Sequence, residues 1–162
     1  MPLDRDLLHI YIADHRAIST GAAQRLAQMV TSYTHLPFAC EIEQMHRDTV
    51  AEMLWLDAFS SRLDMDGGQV RRGGARLAEM LGRLKLNGRV RSTSPLSPLI
   101  EVEMLTAAVT VKITFWHTLA ALPDAAGDAE HLSELLDQAH EQFEDTTKWH
   151  RYLRGRAFQL VP

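Results

Sequence analysis

Ser97-Pro-Leu-Ile-Glu-Val-Glu-Met-Leu-Thr-Ala-Ala-Val-Thr-Val-Lys-Ile-Thr-Phe-Trp-His-Thr-Leu-Ala-Ala-Leu122 is apolar on nearly every side, and past Glu103 it holds one full charge, Lys112. A helix that is hydrophobic all round belongs in the middle of a larger protein or in a membrane. A membrane span needs about 20 apolar residues, and Lys112, His117 and four threonines interrupt this run. The stretch therefore predicts the most buried helix of a helical bundle. An ammonium placed there must be paired or reach water. Reflecting position 112 through a turn near 125 predicts Asp137 or Glu141 as its partner.

Working outward, three more long helices are expected. The first runs from about Asp4 to Val30, with Asp4 and Asp6 in its first turn, where carboxylates meet the positive end of the helix dipole. Its stripe is Leu3, Leu7, Tyr11, Ile18, Ala22, Leu26 and Met29, broken at Asp14-His15. The second covers about 36 to 64, with Phe38, Ile42, Met45, Thr49, Met53, Leu56 and Leu63 on one side, and Asp66-Gly67-Gly68 ends it. Ser97-Pro98 reads as N-cap and first helical position of the central helix, and Leu122-Pro123 closes it. The last helix, about 128 to 155, carries Leu132, Leu135, Ala139, Phe143, Thr146, His150, Leu153 and Ala157. The whole chain, 1 to 162, is read as one all-α domain: an antiparallel four-helix bundle in two hairpins.

Residues 66 to 97 differ in kind. They hold six of the nine glycines, and only Ala75 to Leu86 looks helical. Charge is sorted here too. The chain has a net charge of −4, but Arg71 to Arg91 carries seven basic residues against the single acid Glu79, leaving −10 on the remainder. Arg83, Lys85, Arg89 and Arg91 alternate with apolar residues just before two Ser-Pro helix openings, which suits an anion or an acidic protein surface. No aromatic residue lies between 60 and 114, so base stacking and nucleic acid are not favoured.

The single cysteine, Cys40, allows no internal disulfide and no thiol-based metal site. It reads as a small buried hydrophobe. With no basic-then-apolar leader at the start, the expected location is the cytoplasm. His117 and His150 fall on or beside apolar stripes and are expected to be satisfied core residues.

Glu43-Gln44-Met45-His46 places a carboxylate and an imidazole three residues apart on one helix face, a spacing at which both can bind one ion. Four long helices, a long middle connection and this Glu-x-x-His resemble the ferritin-like superfamily. Its di-metal members take a Glu from each of two helices and a Glu-x-x-His from each of the other two. The resemblance implies iron or another divalent metal at Glu43 and His46. Against that, Thr147 stands where the second histidine belongs, and the first helix has no Glu. The expectation is thus a non-catalytic bundle without a cofactor, acting as a homodimer or by binding an anionic or acidic partner. A metal-dependent oxidase or metal-storage protein is the alternative.

Overall fold

Asp4 opens the first helix: its Oδ1 accepts from the Leu7 N–H at 3.1 Å, satisfying one of the donors that a helix start leaves bare. The structure, a computed structural model, describes residues 3–63 and 96–159. Four long helices account for most of them: α1 (Arg5–Ser32), α2 (Ala39–Arg62), α3 (Leu96–Ala120) and α4 (Ala129–Arg154). There is no strand among the described residues. A tight turn, with Leu36 N–H on the Tyr33 carbonyl at 3.0 Å, joins α1 to α2. Between α3 and α4, Leu122 is extended, as the residue before a proline must be, and Pro123–Asp128 form a 3-10 turn.

Helix α3 includes Leu96, two residues ahead of the expected start. Pro98 is tolerated there because the first turn of a helix asks no N–H of it. The expected short helix at 75 to 86 and the four basic residues Arg83, Lys85, Arg89 and Arg91 lie outside the described residues.

Two apolar clusters hold the helices together and show which ends meet. One gathers Leu8 and Ile12 from the start of α1, Leu56 and Phe59 from the end of α2, Phe115 and Leu119 from the end of α3, and Leu132 and Leu135 from the start of α4. The other gathers Leu26 and Met29, Ile42 and Met45, Leu99 and Val102, and Trp149 and Leu153 from the opposite ends. Within it Phe38 stacks on Trp149 at 5.2 Å between ring centres. Each side chain so buried contributes about 1.5–3 kcal/mol.

The helices that pack side by side are α1 with α2, α3 with α4, α1 with α3, and α2 with α4. In each of these pairs the two chains run in opposite directions, whereas α2 and α3, on a diagonal, run the same way. Leu63 and Leu96 therefore stand at opposite ends of the molecule.

Helix α3 is covered on one side and not all round: Leu96, Ile100, Met104, Ala107, Thr110, Thr114 and Thr118 are all exposed, Ile100 to 45%. Burial within the chain accounts for the other side of α3, at Leu99, Val102, Leu105, Val109 and Trp116, but not for this one. No described helix is long and apolar enough to cross a membrane.

Candidate functional site

Midway along the bundle, between the two apolar clusters, lies a layer of buried polar side chains. Lys112 projects inward from α3 and donates to Glu52 Oε1 at 2.8 Å and Oε2 at 3.0 Å. Its third donor goes to Gln142 Oε1 on α4. The amide of Gln142 in turn donates to Asp48 Oδ2 at 3.5 Å. Glu52 and Gln142 are each 4% exposed, and the fully buried Thr146 returns its hydroxyl to the Phe143 carbonyl at 3.0 Å. An ammonium has three donors and no acceptor. All three are used, so while protonated it has nothing left with which to act as base or nucleophile.

The layer reaches two openings. On the α1–α3 side, Lys112 borders a cavity of about 20 Å³, room for one water, whose wall includes His15, Ser19, Ala22, Met45 and Phe115. On the α2–α4 side, Glu52 borders a groove of about 290 Å³ together with Asp48, Trp55, His131, Glu134 and Gln138. Burial pushes the Glu52 carboxyl above its ordinary value; Lys112 draws it back down and Asp48 pushes it further up. His15 lies against Phe115, ring centres 4.4 Å apart, and burial lowers its basicity while Asp14 raises it.

Lys112 is thus largely enclosed, its side chain 11% exposed, and paired with an acid, as its place in an apolar helix demands, but neither Asp137 nor Glu141 is that acid. Both are exposed. Reflection through a turn finds a level on the next helix of the hairpin, whereas Lys112 points across the bundle axis to the diagonal helix. Glu52 and Gln142 are absent from the expected stripes. After Thr49 the apolar pattern leads to Met53 rather than Glu52, and after Ala139 to Phe143 rather than Gln142. Each time periodicity favours the apolar residue of an i+3/i+4 pair. The structure takes the polar one, leaving Phe143 38% exposed.

Glu43 turns to the outside of α2, where Arg47 donates to it at 2.7 Å, and His46 is half-buried beside it. Among the described residues no three His, Cys, Asp or Glu side chains are grouped to hold an ion. The residues therefore do not fit the di-metal centre that the superfamily resemblance implies: the inward carboxylate at mid-bundle is Glu52, and a fixed protein cation already holds it. On α1, Arg25 bonds Glu101 of α3 at 3.2 Å.

Two histidines and the cysteine also differ from expectation. His117 is exposed, and half-buried His150 reaches Glu103 at 3.3 Å rather than sitting in the core. Cys40 is exposed, since it falls off the Ile42–Met45–Thr49 stripe.

Comparison with protein-family models, with curated proteins and with solved structures gives no match, so no relative's activity bears on this site.

Proposed function

We propose that this chain is a ferritin-like antiparallel four-helix bundle, cytoplasmic and without a resident metal, that works by association rather than by catalysis, its partner being a second copy of itself. The directions of the helices support the fold: α2 and α3 run the same way, so one long connection joins two hairpins, as in ferritin-like bundles. The saturated Lys112–Glu52–Gln142 layer supports a structural rather than chemical centre. A second surface, for an anionic or acidic partner, is assigned to Arg83, Lys85, Arg89 and Arg91.

The observation that carries the reading is the outer face of α3. From Met104 to Ala120 that exposed face holds no Asp, Glu, Lys or Arg, and Leu96, Ile100 and Met104 line its first part. Outside Arg71 to Arg91 the chain carries −10, so most of its faces would repel a second copy. This one carries a single carboxylate, Glu103, which His150 meets at 3.3 Å, and an apolar face on an otherwise charged surface marks an interaction site.

Sedimentation of the full chain over a range of concentrations tests this. The wild type is expected to dimerise, and Ile100→Glu with Met104→Lys to be monomeric, its folding stability within about 0.5 kcal/mol of the parent as for exposed substitutions. A wild type that stays monomeric throughout overturns the reading.

A further inference from the structure

Where α3 and α4 pack, His117 and His140 face each other from exposed positions, with ring centres 6.3 Å apart and ring planes at 65°. We propose that this pair is a two-imidazole site for a borderline-soft divalent transition metal, of the Cu²⁺, Ni²⁺ and Zn²⁺ class, that staples α3 to α4. The site is distinct from Glu43 and His46 and goes beyond the association proposed above. An ion bonded to two imidazole nitrogens at about 2.0–2.1 Å holds the ring centres roughly 5–6.5 Å apart, depending on the angle at the metal. The observed separation lies at the wide end of that range, which matches nitrogens on nearly opposite sides of one ion.

The surroundings favour a cation. Neither imidazole is engaged in a hydrogen bond or ion pair among the described residues, unlike His131, held by Glu134 at 3.0 Å, or His150, held by Glu103. Residues three and four apart share a helix face. Around His140 these positions are Leu136, Asp137, Phe143 and Glu144; around His117 they are Ile113, Thr114, Ala120 and Ala121. Two carboxylates thus stand next to the pair, both exposed, and no lysine or arginine stands at any of the eight positions. Imidazole suits copper, nickel and zinc, and water completes the coordination at an exposed site.

The test is a calorimetric titration of the full chain with Cu²⁺ and with Zn²⁺, repeated on His117→Ala, His140→Ala and the double variant. Both side chains are exposed, so the variants keep their fold, which the melting temperature without metal checks. One equivalent per chain is expected, tighter for Cu²⁺ than for Zn²⁺. Added metal should raise the melting temperature, and binding should weaken at least about tenfold in either single variant. No binding by the wild type, or binding that survives intact in the double variant, overturns the proposal. His117 borders the α3 face proposed above as the dimer contact, so sedimentation is repeated with and without metal, and metal binding by the monomer keeps the two readings apart.

Discussion

Lys112 Nζ lies 2.8 Å from Glu52 Oε1, yet the two belong to α3 and α2, which do not pack side by side. The pair crosses the bundle on its diagonal and ties one hairpin to the other. Breaking a buried pair by removing one partner costs about 3–5 kcal/mol, since it strands the other charge away from water. Lys112→Met should lose that much in urea unfolding, and Lys112→Met with Glu52→Leu should recover most of it. A single variant as stable as the parent would show that the pair contributes nothing.

The same carboxylate gives a pH dependence whose sign can be stated. Burial raises Glu52 above its ordinary value of 4.5, so the folded chain holds this proton more tightly than the unfolded chain does. Its contribution to stability is then full below about pH 4.5 and is lost as pH rises through the folded value. Wild type minus Glu52→Gln, compared by melting temperature, should fall as pH climbs through that window. A difference that grows with pH contradicts the assignment.

Arg16 and Asp57 make the geometric opposite of that pair. They join α1 to α2 through two parallel bonds, Arg16 Nη2 to Asp57 Oδ2 at 2.7 Å being one, but each side chain is 43% exposed. Water screens such a pair, which is worth about 0–1 kcal/mol. Asp57→Asn should cost under about 1 kcal/mol in the urea assay that reads Lys112→Met. An equal cost for the two variants would mean that burial does not separate them.

For the basic residues the readout is salt. If Arg83, Lys85, Arg89 and Arg91 hold a polyanion, retention on heparin should fall steeply with ionic strength. Replacing all four with Gln should flatten the dependence, by up to about 0.9 in logarithmic slope for each anionic group no longer neutralised. Equal elution of the two proteins would assign the segment to internal charge balance.

How far the sequence could be read follows the physics of each signal. Helix type and rough extent were legible because apolar residues recur at steps of three and four, and because Asp4 and Pro123 mark real boundaries. The burial of Lys112 was legible because an apolar helix leaves a lone charge few places to go. Its partners were not. Glu52 competes with Met53, and Gln142 with Phe143, for neighbouring places on the same helical face, and only the diagonal Lys112 decides for the polar residue in both cases. That pairing joins elements far apart in the chain, which no local periodicity encodes. The exposed side of α3 was hidden for the opposite reason: its composition is that of a core, and composition does not say which neighbour covers it.

The shared ion pair has a consequence for how the halves recognise one another. Short turns close the α1–α2 and α3–α4 hairpins, while joining them requires a far longer loop, and closure costs rise with loop length. Each hairpin is therefore the natural early unit, and each brings one half of a charge pair on the face it must seal: a bare carboxylate at Glu52, a bare ammonium at Lys112. Two α1–α2 hairpins docked in this geometry would press carboxylate on carboxylate, and two α3–α4 hairpins ammonium on ammonium. Only unlike halves neutralise each other, so the buried charges act as a lock and key that sorts correct assembly from the mirror pairings of either half with itself.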